Sequence, residues 1–213
     1  GILLGSSKLI FSCLSKITKE NKADEYYLTD CIEIAVTQGK KASFITCDQT
    51  ETQGVNSKAE LAIAEAFFQE KCRSQHMEQG VTLVAPETNF FSYDTTIAPG
   101  TIIEPNVVFG PNVKIEKDVI IKSFSYLEGT HILKNSIIGP FARLRGESKL
   151  GPNTRVGNFV EIKNSNILKD AKISHLSYFG DAEVGNGANI GAGSITCNYD
   201  GVSKHKTVIG PKA

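Results

Sequence analysis

The sequence has no surplus charge of either sign: 23 lysines and arginines balance 23 aspartates and glutamates, for a formal net charge of zero. A balanced surface attracts neither a nucleic-acid backbone nor an anionic membrane, so no nucleic-acid or membrane partner is expected. Any anion site has to come from a local cluster of cations. There is no Cys-x-x-Cys pair either, since the five cysteines at 13, 31, 47, 72 and 197 are widely spaced and odd in number. That pattern argues against a disulfide frame or a zinc site and reads as reduced thiols in the cytoplasm. No apolar run approaches the roughly 20 residues of a membrane span. The apolar segment at the N-terminus is too short for a signal peptide. The chain begins at Gly1 and stops in mid-pattern at Lys212-Ala213, so a piece of a longer protein is expected, with 213 residues making room for one or two domains.

What the sequence does have is a rhythm. From Ile97 to Ile190 an aliphatic or aromatic anchor recurs every six residues, with an occasional step of five. The anchors are Ile97, Ile103, Phe109, Ile115, Ile121, Leu127, Leu133, Ile138, Leu144, Leu150, Val156, Ile162, Ile167, Ile173, Phe179, Val184 and Ile190. Four residues after most of them stands a small or β-branched residue, such as Val107, Val113, Val119, Ala142, Ser148, Thr154 or Ala188. Neither a helix nor a flat strand makes this pattern, whereas a short-strand solenoid does. Three such hexads close one triangular coil, so residues 17 or 18 apart stack on one edge, about 4.8 Å apart along the axis. Anchors and their i+4 partners point inward; positions i+1, i+2 and i+5 face outward in vertical columns.

Upstream, residues 1–50 read as alternating α/β. Ile2-Leu3-Leu4 reads as a buried strand, Leu9 to Ile17 as a helix, and Asp30-Cys31-Ile32-Glu33 as a capping box opening a helix that Gly39 ends. Ala42 to Cys47 reads as a further strand. A second capping box, Ser57-Lys58-Ala59-Glu60, starts a helix with Leu61, Ala64, Phe67, Phe68 and Cys72 on its apolar face, ended by Gly80. At 1.5 Å per residue, its ~22 residues make an arm of roughly 33 Å, which reads as a domain connector.

The columns indicate where chemistry can lie. Arg145 and Lys163 each follow an anchor directly and stand 18 residues apart, so they should stack as two cations about 5 Å apart. Like charges at that distance repel unless an anion lies between them, and a phosphate suits an arginine fork beside a lysine point charge. Taken alone, the spacing favours a solvated surface pair over that site. His175, at i+2 of its hexad, points outward beside Tyr178. Imidazole is the usual base near neutral pH, although a single exposed histidine is more often a plain surface or interface residue. Ala192 stacks over it and leaves space above the ring. After Ile190-Gly191-Ala192-Gly193-Ser194 the period breaks into a loop, Thr196 to Lys206, before resuming at Val208-Ile209-Gly210. Such an excursion from a regular scaffold carries function or is a tolerated insertion. Asn56, by itself, reads as a turn or helix-start residue.

At these residues the chain resembles a known family. Gly139-Pro140-Phe141-Ala142-Arg143-Leu144-Arg145, Val156-Gly157-Asn158-Phe159-Val160-Glu161-Ile162-Lys163 and Gly191-Ala192-Gly193-Ser194-Ile195-Thr196-Cys197-Asn198-Tyr199-Asp200-Gly201 are similar to segments of the bifunctional bacterial N-acetylglucosamine-1-phosphate uridyltransferase/glucosamine-1-phosphate N-acetyltransferases. Glu25-Tyr26-Tyr27-Leu28-Thr29-Asp30 and Gly54-Val55-Asn56 resemble the closing part of the uridyltransferase domain. The resemblance implies a mainly β fold, a left-handed parallel β-helix preceded by a long connector helix and the tail of an α/β nucleotidyltransferase domain. It divides the chain into residues 1–58 (uridyltransferase tail), 59–79 (helical linker) and 80–213 (acetyltransferase β-helix). It implies a cytoplasmic homotrimer with acetyltransferase sites at subunit boundaries. His175 would be the general base. Arg145, Lys163 and Lys204 would bind the phosphate of glucosamine-1-phosphate, and Tyr178 and Asn189 its sugar. Ala192, Asn198 and Tyr199 would contact acetyl-CoA, and Asn56 would help bind magnesium and UDP-N-acetylglucosamine. The magnesium aspartate, the Gly-rich nucleotide loop and the later coils of the family have no counterpart in these 213 residues. Two other readings stay open: a sugar-nucleotide pyrophosphorylase whose β-helix only regulates or oligomerises, and a non-enzymatic trimeric scaffold.

Overall fold

A computed structural model describes residues 2–213. The chain divides into two compact units, one running to Ala64 and the other comprising Glu65–Ala213.

In the first unit, helix α1 (Ser7–Leu14) starts at Ser6, whose side chain accepts from the Leu9 amide at 3.3 Å. It stops three residues short of the expected Ile17. Helix α2 (Asp30–Thr37) does not use the expected capping box. Its N-cap is Thr29, and Asp30 and Glu33 sit inside the first turn, where they favour the positive end of the helix dipole. Gly39, at φ +74°, does end it as expected. The expected strands at Ile2–Leu4 and Ala42–Cys47 are not formed. A strand needs a neighbouring ladder to satisfy its backbone, and among the described residues of this unit none is present. The two helices pack on each other and bury Cys13 and Cys31.

Helix α3 (Lys58–Glu78) opens on the expected capping box. The Glu60 amide donates to Ser57 Oγ at 3.1 Å, while the amides of Asn56 and Ser57 donate to Glu60 Oε2 at 2.6 and 2.9 Å. Of its expected apolar face only Cys72 packs, half-buried, against the core, with Ala64 also half-buried. Leu61, Phe67 and Phe68 are exposed, and the buried stripe is Gln69, Arg73 and His76. The helix meets the first coil of the solenoid, whose end strand offers backbone groups rather than a greasy surface. Gln69 satisfies both polar groups of Phe91, donating to its carbonyl and accepting from its amide, each at 2.8 Å. Arg73 reaches the Asn89 carbonyl at 3.4 Å, and the His76 ring lies 4.9 Å from that of Phe91. A polar helix face is what an unpaired edge demands.

Beyond Gly80 the chain is a parallel β-helix of strands mostly two or three residues long. Parallel pairing at intervals of 17 or 18, lengthened to 20 at the first step (Leu83 to Ile103) and to 25 across the loop (Val184 to Ile209), stacks three inward columns. One runs Leu83, Ile103, Ile121, Ile138, Val156, Ile173, Ile190; another Phe109, Leu127, Leu144, Ile162, Phe179; the third Ile97, Ile115, Ile132, Leu150, Ile167, Val184, Ile209. Nearly all are buried in one continuous core. The i+4 positions Val107, Val113, Val119, Ala142, Ser148, Thr154 and Ala188 are buried beside them. One anchor is corrected: Ile132, not Leu133, enters the core, so the five-residue step falls after Leu127.

The corners require left-handed backbone. Asn112, Asp118, Asn135, Asn153 and Asp170 supply it with short polar side chains, and Gly146 supplies it where a Cβ would strike the Asn164 side chain. One corner departs from this economy. Phe124, Phe141, Phe159 and Leu176 adopt φ of 61°, 54°, 56° and 46° there, a conformation costly for bulky residues. Their side chains are exposed, and the three rings stack with centroids 5.0 and 5.2 Å apart.

Candidate active site

Two strands are far longer than the rest. Arg155–Lys163 and Lys172–Gly180 each run nine residues, pairing with each other across the aromatic corner. Between them they carry three of the candidate residues, Lys163, His175 and Tyr178.

At one end the expected cation column is present. Arg145 and Lys163 are register partners on adjacent strands. The repulsion between them is answered within the protein: Arg145 Nε donates to Glu161 Oε1 at 2.6 Å, with both side chains 29% exposed. Only Nε is used, leaving the guanidinium Nη donors free among the described residues. One coil higher, Gly180 is the register partner of Lys163. A Cβ at Gly180 would collide with the Tyr178 hydroxyl and the Asn198 amide, so both groups converge over this glycine. Asp181 follows, accepting from Asn198 Nδ2 at 2.5 Å and from Asn164 Nδ2 at 3.3 Å. Desolvation pushes the Asp181 carboxyl up, but these hydrogen bonds and the charges of Lys204 and Lys163 outweigh it and hold its pKa below the ordinary value. Arg145, Lys163, Tyr178, Asn198 and Lys204 therefore gather in one region, interleaved with Glu161 and Asp181.

His175 occupies the other end of the strand, exposed as expected, with Nδ1 2.9 Å from Asn158 Oδ1 of its register partner. The turn carrying Ala192 passes above it: the Gly193 amide donates to the His175 carbonyl at 3.4 Å. Between the two ends lies an open groove of about 450 Å³ lined by Phe141, Phe159, Glu161, Tyr178 and Ile195, among others.

The loop Thr196 to Lys206 is built, not slack. Asn198, expected at the ligand, is buried and spends its side-chain amide on Asp181, with its backbone carbonyl accepting from the His205 amide at 2.8 Å. Asp200 accepts from the amides of Val202 and Ser203 and from His205 Nε2 at 2.6 Å, which lowers its pKa to about 2. Lys206 is tied to Glu183 at 2.7 Å. Tyr199 is exposed, its hydroxyl donating to the Gly201 carbonyl, and Lys204 is exposed on the returning arm. The strand then resumes at Thr207–Ile209, as the rhythm requires.

Three candidates stand apart. Asn189 is exposed in the column above Arg155 and Lys172. Ala192 is exposed on its turn. Asn56 lies in the other unit, its backbone amide bound to Glu60. Magnesium takes a set of oxygen ligands, and no group of three or more His, Cys, Asp or Glu suited to a metal occurs among the described residues. One neutral amide does not make that site. Sequence reasoning missed Asn158, Glu161 and Asp181. The column rule points to the first two, which lie 17 residues before His175 and Tyr178.

Residues 94–129 and 129–164 match the bacterial transferase hexapeptide (six repeats) family. The bifunctional protein GlmU of Jannaschia sp. is 50% identical over 213 residues, covering 100% of this chain and 47% of that protein. That of Roseobacter denitrificans is 50% identical over 210 residues (99% and 47%), and that of Zymomonas mobilis 47% identical over 213 residues (100% and 47%). The chain thus spans about half the length of the curated relatives it matches. With its stacked hexads, outward His175 and docked loop, the chain is a homologue, along its whole length, of the bifunctional GlmU proteins, built on bacterial transferase hexapeptide repeats.

Proposed function

We propose that the β-helix of this chain transfers the acetyl group of acetyl-CoA to the amine of glucosamine-1-phosphate. The protein containing it also transfers a uridylyl group from UTP to N-acetylglucosamine-1-phosphate, giving UDP-N-acetylglucosamine. In this reading residues 1–58 close the uridyltransferase domain, 59–79 link, and 80–213 form the acetyltransferase domain.

The free Nη donors of Arg145, with Lys163 and Lys204, hold the sugar phosphate, while Tyr178 and Asn189 contact the sugar. His175 takes a proton from the amine. The freed nitrogen attacks the thioester carbonyl, a C–N bond forms, and the C–S bond breaks to release the coenzyme A thiol, which receives a proton in turn. Ala192 and Tyr199 face the acetyl-CoA, and Asn198, bound to Asp181, holds the loop that carries Tyr199. The family's homotrimer is supported by the stacked Phe124, Phe141 and Phe159, whose exposed rings, two of them lining the groove, are suited to burial against another subunit. The free cysteines agree with a cytoplasmic setting. No magnesium step is derived, because Asn56 alone does not form that site.

The observation that carries this reading is the gathering of Arg145, Lys163, Tyr178 and Lys204 in one region, at the end of the paired strands whose other end presents His175. It is tested by thiol release from acetyl-CoA with glucosamine-1-phosphate, using the protein that contains this chain. His175→Ala should lower the rate by on the order of 10²-fold or more, the share that a positioned base supplies. Full activity in that variant would remove the assignment. Absence of thiol release by the parent protein would instead favour a pyrophosphorylase with a regulatory β-helix or a scaffold.

A further inference from the structure

We infer that Asn158 is a positioning residue that sets the protonation pattern of the His175 imidazole, an inference that rests on His175 being the base. The two side chains face each other because their strands are register partners, with His175 Nδ1 2.9 Å from Asn158 Oδ1. An amide oxygen only accepts, so the contact requires the proton on Nδ1. A neutral ring protonated at Nδ1 carries its lone pair on Nε2, the nitrogen that Asn158 does not touch. A base must present that lone pair before it can take a proton, so Asn158 fixes which nitrogen does the chemistry.

Two features of the backbone hold this pair together. Directly before Asn158, Gly157 lets the two strands approach: a Cβ there would run into the Ser174 carbonyl. Directly after each member the chain turns through a bulky left-handed residue, Phe159 at φ 56° after Asn158 and Leu176 at φ 46° after His175. At most other corners Asn, Asp or Gly takes this conformation at lower cost, Lys212 at φ 59° being the exception. Strain of this kind persists where the surrounding structure over-determines it, and it clusters where geometry matters to function. Here it turns the chain sharply just past Asn158 and His175 and keeps their side chains paired across the corner.

The test reads the ring itself. ¹⁵N chemical shifts of the neutral His175 ring in histidine-labelled protein should show hydrogen on Nδ1 in the parent chain. Asn158→Ala should move the population towards hydrogen on Nε2. Asn158→Asp keeps an acceptor at the same place and should restore the parent pattern. In acetyl transfer, Asn158→Ala should lower kcat by roughly 10- to 100-fold, part of the 10²–10⁴ a positioned base supplies, with KM for acetyl-CoA unchanged and Asn158→Asp partly rescuing kcat. Hydrogen on Nε2 in the parent, or a pattern indifferent to Asn158→Ala in a protein with unchanged far-ultraviolet circular dichroism, would overturn the inference. Loss of the assay signal is judged separately. If His175→Ala keeps full activity, the base assignment fails while the tautomer measurement still decides the role of Asn158.

Discussion

The two units of this chain treat the same kinds of residue in opposite ways. In the first, Phe44 is 88% exposed and Phe11 71%, and among its described apolar residues only Cys13 and Cys31 are buried. In the β-helix the anchors sit at or near 0% exposure along three columns. The difference is one of range. A hexad anchor finds its neighbours 17 or 18 residues away, within the same repeating sequence, so each coil completes the core of the one before it. A strand of an α/β sheet finds its ladder through crossover connections to strands that can be anywhere in a domain. Local rhythm builds the one; the other has no such guarantee.

Core truncation is the sharpest way to break that comparison. Ile162→Ala, at a fully buried anchor, should cost about 2–5 kcal/mol in chemical unfolding, through lost transfer energy plus the cavity left behind. Phe44→Ala should change stability by no more than about 0.5 kcal/mol. Comparable costs at the two sites would mean that the units do not differ as described. A smaller effect separates the two faces of α3. Gln69→Ala leaves the Phe91 amide and carbonyl unpaired in a buried place and should cost about 1–3 kcal/mol, while Phe67→Ala on the exposed face should be near neutral. Reversal of that order would restore the apolar docking face read from the sequence.

The smallest expected effect is on pH. Burial lowers the His76 pKa from its ordinary 6.5, so the unfolded chain binds that proton more tightly than the folded one. Stability contributed by the neutral ring is therefore present above pH 6.5 and is lost as pH falls from there through the lowered folded value. His76→Gln should flatten this part of the stability–pH curve in urea titrations, and an unchanged slope would show that His76 is not the group responsible.

The β-helix was legible because its evidence is repetitive: a dozen and more anchors agree on one register, and one misplaced anchor, Leu133 for Ile132, shifts nothing else. Arg145 beneath its partner Lys163 and the outward His175 followed from the same arithmetic. Three kinds of information escaped it. The burial of Gln69, Arg73 and His76 depends on what the helix docks against, an edge of backbone groups, and side-chain polarity read along a helix assumes an apolar partner. Glu161 and Asp181 were passed over because cations were sought and the carboxylates that compensate them were not. The strands at Ile2–Leu4 and Ala42–Cys47 failed because apolar residues propose a strand but only a ladder makes one.

The central claim is that stacked outward columns, and not isolated residues, build the site. It is tested most directly by a double-mutant cycle on Arg145 and Lys163, reading KM for glucosamine-1-phosphate in the acetyl-transfer assay. Both single alanine variants should raise that KM without changing KM for acetyl-CoA. The double variant should depart from additivity by about 0.5–3 kcal/mol, as expected for two cations sharing one phosphate. Unchanged KM in either single variant, or strict additivity, would contradict the account.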